Sequence, residues 1–237
     1  EWYLEHLLKK NLSNHKSFQK VLKVHPLIFL NHIVNNLKTL SINFKYNRRI
    51  LNFILKRLIF LNKISDGIIY IQISRGVAKR EHAFPKNIKP TIFITARNNK
   101  FNFKILEEGV NVITTEDIRW GRCDIKTISL LPNVLAKQKA VESNAFEALL
   151  LDENSIINEG SSSNFWIIKD KKLFTGPISN KILPGITRKV LKDIIIRENL
   201  EFSEKKFSLD DALSSDEAMI TNSSNLIVPV VKINDNI

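Results

Sequence analysis

Three lysines fall within "RCDIKTISLLPNVLAKQKAVES", residues 122 to 143: Lys126, Lys137 and Lys139. A lysine amine attacks a carbonyl carbon only when it is neutral. Burial or a neighbouring cation is what lowers its pKa far enough. Such a lysine needs a fixed and sheltered support. Lys137 and Lys139 fall on an expected helix that begins near Pro132, off the stripe of Leu131, Val134, Leu135 and Val141. A solvated helix face accounts for them. Lys126 precedes that helix in a stretch that reads as extended, from which a side chain can point into the molecule. Of the three, Lys126 is the candidate for covalent chemistry.

Other residues have types and spacings that suit chemistry. In "KREHAF", Arg80 and His82 are two apart, so in an extended segment both side chains face one way. An arginine can clamp a carboxylate through two parallel hydrogen bonds, and a histidine can donate a third. The same pair also reads as a basic loop. "LPGITRKV" places Gly185, Ile186 and Thr187 at an expected helix start, where unpaired N–H groups and the positive end of the helix dipole suit a phosphate. Glu159, just before Gly160 in "NEGSSSN", reads on its own as an exposed turn glutamate.

The elements that must position these residues change in kind along the chain. Leu30, Ile33, Val34, Leu37 and Leu40 recur at three- and four-residue steps, which predicts a helix over 30–42. Residues 47–62 repeat the pattern, and "ILNFILKRLIFL" reads as a helix packed on one side. Strands are expected at "GIIYIQISR" and "PTIFITA", then at "VNVITTED", "FEALLLD", "NFWIIKD", "KKLFTG", "EAMITNS" and "LIVPVVKI". Helices starting near Pro132 and near Pro184–Gly185 interrupt this second series, the latter running to about Asn199. Proline suits a first helical turn because its missing N–H costs nothing there. The expected fold is α/β (α+β): a small α/β N-terminal domain over 1–100, a polar linker over 101–108 and a larger, strand-rich domain over 109–237.

Composition narrows the function. The chain has 237 residues and a formal charge of +12, spread over a background rich in Lys, Asn and Ile rather than gathered in one block. No RNA-binding aromatic motif or finger spacing accompanies the charge, so a nucleic-acid partner is not expected. No apolar run approaches the roughly 18–20 residues of a membrane span. The N-terminal "EWYLEHLLKK" lacks the pattern of a secretory signal, so the cytoplasm is the expected location. Cys123 is the lone cysteine, which rules out an internal disulfide framework and a thiolate metal cluster. No metal site is expected.

Four stretches carry a family resemblance: "YIQISRGVAKREHAFP", "DIRWGRCDIKTISLLPNVLAKQ", "NEGSSSNFWIIKD" and "ILPGITRKVL". In order and spacing they resemble the fold-type-IV pyridoxal-phosphate enzymes, and within them the D-amino-acid aminotransferase branch. The resemblance spans about residues 67 to 232. It implies pyridoxal 5'-phosphate as cofactor, with Lys126 as its Schiff-base lysine and as the general acid/base that moves the substrate proton. Glu159 matches the carboxylate at the pyridine nitrogen, which keeps that nitrogen protonated. Ser161 and Ser162, with Ser163, would supply hydroxyl contacts around the cofactor. Ile186 and Thr187 would hold the phosphate by their amides, and Ser223, with Ser224 as the near alternative, by a hydroxyl. Arg80 and His82 match the substrate carboxylate trap, and Arg119 in "DIRW" an arginine near it. The implied activity is transfer of an amino group between a D-amino acid and a 2-oxo acid, in a homodimer.

The chain departs from the family pattern at its start. "SNHKSFQKVLKVHPLIFL" has neither the glycines nor the tyrosine of the usual R-G-x-x-F-x-D-G-x-Y-E segment, and Phe18 is the nearest counterpart of that tyrosine. Asn35 stands where a phosphate-binding arginine is usual, losing a charge-assisted contact of roughly 1.5–3 kcal/mol. The resemblance further implies a chain short at both ends, lacking a closing C-terminal helix. Alternatives are a branched-chain aminotransferase or aminodeoxychorismate lyase of the same fold, an inactive remnant, or a basic nucleic-acid-binding module.

Overall fold

The computed structural model describes residues 29–44 and 47–236. They fall into two compact units that divide between Phe101 and Asn102.

The first unit holds helix α1 (29–39), helix α2 (Arg48–Leu61) and an antiparallel pair, β1 (Gly67–Ser74) and β2 (Thr91–Asn98). Leu30 and Leu37 of α1 are buried as their spacing predicts, and so is Leu51 of α2. Asn47 caps α2 by accepting from the amide of Ile50 at 2.9 Å, which satisfies one of the orphan donors at the helix start. The one-sided packing expected of α2 is only part of the picture: Phe53, Phe60 and Leu61 are exposed on its other side. β1 and β2 pair from Gly67↔Asn98 to Ser74↔Thr91, and the loop 75–90 joins them. Arg75 fixes the start of that loop. Its Nη2 donates to Leu40 O at 2.6 Å and its Nη1 to Ser41 O at 3.1 Å, and its guanidinium lies 3.6 Å from the ring centre of Phe84.

The second unit is built on an eight-stranded sheet. Its strands are β3 (Val110–Glu116), β4 (Glu147–Leu151), β5 (Ile157–Gly160), β6 (Asn164–Lys169), β7 (Lys172–Thr175), β8 (Phe202–Glu204), β9 (Glu217–Asn222) and β10 (Leu226–Ile233). Their order is β5-β4-β3-β10-β9-β6-β7-β8. β3 is parallel to β4 and β10, β7 is parallel to β8, and the other neighbours are antiparallel. Only residues 161–163 link edge strand β5 to β6. Four Cα steps reach at most about 14 Å. Five strand spacings in a flat sheet come to about 24 Å. The sheet must therefore curl, and the turn 161–163 sits where the curl brings β5 back to β6.

Two apolar layers flank the sheet. One joins Val112, Leu149, Ile157, Phe165, Ile220 and Val228 with Phe207. The other packs Leu191 and Ile195 of helix α5 (Ile186–Arg197) against Trp166, Ile168, Leu173 and Met219. Trp166 is fully buried, and its indole N–H donates to Thr221 Oγ1 at 3.0 Å. Residues 104–108, within the expected linker, form the short helix α3 (Lys104–Glu108), with Ile105 and Leu106 against the first layer. Helix α6 (Leu209–Leu213) starts from a capping box between Ser208 and Asp211.

Helix α4 (Leu131–Glu142) has the place its proline predicts but the opposite orientation. Ala136 and Ala140 face the sheet, against Ala148 and Leu150, because small side chains let helix and strands approach closely. Leu131, Val134, Leu135 and Val141, the expected inward stripe, are exposed. Lys137, expected on the wet side, is half-buried: its Nζ donates to Phe146 O and lies 4.9 Å from that ring's centre. Lys139 reaches Thr115 Oγ1 at 3.2 Å.

Candidate active site

Lys126 does not lie on an extended support. It follows a turn in the loop 117–130, between β3 and α4. The loop is pinned instead by buried Cys123 and Ile125 and by the Cys123 amide, which donates to Asn180 O at 2.8 Å. Lys126 is exposed, yet its surroundings partly desolvate its amine. That desolvation holds the amine below the ordinary lysine range; the negative charge of Glu159 works against the shift. A depressed pKa and an exposed position are what a carbonyl-attacking amine requires.

Glu159 lies on β5, which sequence periodicity misses because the strand is only four residues long. It is 4% exposed, so the turn-glutamate reading is replaced by a buried one. Its carboxylate accepts from Asn164 Nδ2 at 2.9 Å, from the amide of Leu183 at 3.0 Å and from Arg119 Nη1 at 2.5 Å. Burial nevertheless pushes it up to about 7, against the Arg119 charge and the Leu183 amide. Arg119 in turn donates Nε and Nη2 to Asp117 at 2.8 Å each, and Nη2 also to Lys181 O at 2.8 Å. Asn158 Nδ2 supports Asp117 at 2.8 Å. Burial raises the Asp117 carboxyl, but the hydrogen bonds and charge of Arg119 outweigh it and hold the group below its ordinary range. Arg119 is therefore engaged by protein along both edges.

The serine turn holds a residue that sequence reasoning passed over. Glu147, at the start of β4, is 0% exposed and sits beneath Ser161, Ser162 and Ser163. It accepts from all three hydroxyls. A signal existed: "EALLL" carries one charge in an otherwise apolar strand, and a buried charge needs partners.

Helix α5 begins at Ile186 with Gly185 as N-cap and no side-chain cap, so its first amides have no side-chain acceptor. Gly185 is required: a Cβ there would lie 2.1 Å from Asn164 Oδ1. Thr187 Oγ1 donates to Asn222 O at 2.9 Å, which sets the turn after β9 beside the helix start. Ser223 and Ser224 are exposed in that turn, whose shape is fixed by Asn222 Oδ1 accepting from the amides of Ser224 and Asn225. The Leu183 amide, just before α5, donates to Glu159 of β5, and the Cys123 amide of the lysine loop donates to Asn180 O, so the lysine loop, β5 and the approach to α5 meet in one region.

Arg80 and His82 belong to the first unit. They are exposed at bends of the loop 75–90, not in an extended segment. Asn35 is exposed on α1. Phe18 lies outside the described residues.

The fold and site define a class: the chain belongs to the amino-transferase class IV family, whose model matches residues 29–233. It is 45% identical over 179 residues to D-alanine aminotransferase of Staphylococcus aureus (strain MSSA476), covering 75% of this chain and 63% of that protein. It is 36% identical over 194 residues to D-alanine aminotransferase of Bacillus licheniformis, covering 82% and 68%. The chain thus spans less than two thirds of the Staphylococcus relative. Among solved structures, Escherichia coli branched-chain amino acid aminotransferase superposes with a TM-score of 0.80 at 22% identity, over 90% of this chain and 72% of that one. A putative 4-amino-4-deoxychorismate lyase from Legionella pneumophila gives 0.79 at 22% identity, over 87% and 76%. At such identities the likeness concerns the fold, which is that of the fold-type-IV aminotransferases. Among the described residues no helix is long and apolar enough to cross a membrane.

Proposed function

We propose that the chain is a D-amino-acid transaminase that exchanges an amino group between a D-amino acid and a 2-oxo acid, with pyridoxal 5'-phosphate as cofactor. One observation carries the reading: a desolvated amine at Lys126 and a buried carboxylate at Glu159 share a region with an uncapped helix start. These are the groups such a cofactor needs. The similarity to D-alanine aminotransferases over this part of the chain supports the choice of substrate.

Bound there, pyridoxal phosphate supplies the electron sink that makes a substrate Cα–H acidic. The protein's part follows from its own residues. Lys126 would be the residue that holds the cofactor, and its free amine would move the proton at the substrate α-carbon. Its depressed pKa leaves more of it neutral at working pH. Glu159 would hold the ring nitrogen of such a cofactor and keep it protonated. Arg119 and Asp117 hold Glu159 in place. The amides of Ile186 and Thr187, with the hydroxyl of Ser223, bind the phosphate. Ser161 and Ser162 flank the cofactor from their turn. Arg80 and His82, of the first unit, are the pair whose chemistry would suit a substrate carboxylate.

The unit acts as a homodimer in this reading. The exposed apolar residues Leu131, Val134, Leu135 and Val141 of α4 supply a face that a second subunit would cover. The cytoplasm is the location in which we place it. The deciding experiment compares D- and L-alanine as amino donors to a 2-oxo acid. Turnover with D-alanine supports the reading. Turnover with L-alanine alone replaces it with a branched-chain type of activity.

A further inference from the structure

We infer that Glu147 is a positioning residue that closes the turn 161–163 and thereby sets Glu159 and Asn164 against each other. The carboxylate accepts from five donors. Oε1 takes the amide of Ala148 at 2.9 Å and the hydroxyl of Ser161. Oε2 takes the hydroxyl of Ser162 at 2.7 Å, the amide of Ser162 at 3.2 Å and the hydroxyl of Ser163 at 3.0 Å. Two further contacts tie the turn to its surroundings. The Ser161 amide donates to Ala148 O at 2.8 Å, and Asn133 Nδ2 of α4 donates to Ser161 O at 2.8 Å. Gly160 belongs to the same design, since a Cβ there would lie 2.2 Å from Ser163 Oγ and 3.0 Å from Glu147 Cγ.

The turn is short, so its closure fixes its two ends. Glu159 stands one residue before Gly160, and Asn164 follows Ser163. The Gly160 amide donates to Ser163 O at 2.7 Å, and Asn164 Nδ2 donates to Glu159 Oε2 at 2.9 Å. Without an acceptor beneath them, three hydroxyls would compete for other partners and the turn would open.

A chemical consequence follows for the serines. A hydroxyl has one proton to donate. Those of Ser161, Ser162 and Ser163 are committed to Glu147. Toward any ligand these residues offer only oxygen lone pairs and backbone groups. Glu147 therefore decides that the serine run acts as an acceptor surface. The consequence for cofactor binding rests on the transaminase reading; the closure of the turn does not.

The test uses amide hydrogen exchange on the cofactor-free chain, followed by pyridoxal 5'-phosphate titration. Glu147→Gln retains the shape but places an amide N–H₂ among donors. It should speed exchange of the amides of residues 160–164 at least tenfold, leave strands β9 and β10 unchanged, and weaken cofactor binding. Ser161→Ala/Ser163→Ala leaves the carboxylate in place and should loosen the same segment. Added to Glu147→Gln, the serine substitutions should have less effect than in the parent, because one of the two oxygens that accept from these hydroxyls has already become an N–H₂. Unchanged exchange at 160–164 in a folded Glu147→Gln or Ser161→Ala/Ser163→Ala protein overturns the inference. Slowed exchange also does so. If the unsubstituted chain takes up no cofactor, the transaminase reading fails, and the exchange data still decide the role of Glu147.

Discussion

Arg119 Nη1 donates to Glu159 Oε1 at 2.5 Å, with both side chains nearly sealed from solvent. The opposite edge of the same guanidinium is held by Asp117. One buried cation thus serves two buried carboxylates. Removing a partner from such a group leaves uncompensated charge, which typically costs about 3–5 kcal/mol. Arg119→Ala should lower the urea midpoint accordingly. Arg119→Lys should not restore it, because a point charge cannot serve both edges at once. A stability for Arg119→Ala within about 0.5 kcal/mol of the parent, the range of ordinary surface changes, would mean that the network is not formed.

Glu159 also bears on Lys126, where its charge opposes the desolvation of the amine. Glu159→Gln removes that opposition. The Lys126 amine should then titrate at still lower pH, as read from the pH dependence of its labelling by an amine-directed reagent in the cofactor-free protein. A rise in its pKa would contradict the juxtaposition of the two groups.

The two carboxyl groups on Arg119 should leave opposite marks on stability against pH. Glu159 is raised from 4.5 to about 7 on folding. Its stabilising contribution is complete below pH 4.5 and is lost as pH rises through about 7. Asp117 is lowered from 3.8, so its contribution is present above that pH and is lost as pH falls through the folded value. Denaturation across this range should show the neutral-side decline disappear in Glu159→Gln and the acid-side decline shrink in Asp117→Asn. Parallel curves for the parent and both variants would refute the assignment.

Gly185→Ala tests the contact between α5 and the carboxylate. The added methyl meets Asn164 Oδ1, while Asn164 Nδ2 holds Glu159 and Leu183 O. Overpacking of this kind costs about 1–3 kcal/mol. Cofactor affinity should fall by about tenfold for each 1.4 kcal/mol felt at the site. Titration of the variant with pyridoxal phosphate reads it directly, and unchanged affinity would separate this contact from the binding site.

Much of the second unit was legible because its long strands and both its longer helices carry clear periodicity and proline or glycine at their starts. β5 and β8 were not, since four and three residues are too few to show a period. The face of α4 was misread for a physical reason. Apolar spacing cannot tell which face a helix turns inward when small residues line another face, and here alanines make the contact while Leu131 and Val134 stay outside. Of the site, Lys126, Glu159 and the α5 start were recoverable from quoted motifs. Asp117 and Glu147 were not: Asp117 touches Glu159 only through Arg119, and the hydroxyl partners of Glu147 lie 14 to 16 residues away. The commitment of Arg119 to Glu159 needed coordinates, since 40 residues separate the pair.

Lys126 is the amine proposed to condense with the cofactor aldehyde. Mixing the purified chain with pyridoxal phosphate should give an absorbance band at roughly 400 nm, as expected of a Schiff base. The band should be lost in Lys126→Ala and kept in Lys137→Ala. A band that survives in Lys126→Ala and vanishes in a folded Lys137→Ala would contradict this assignment.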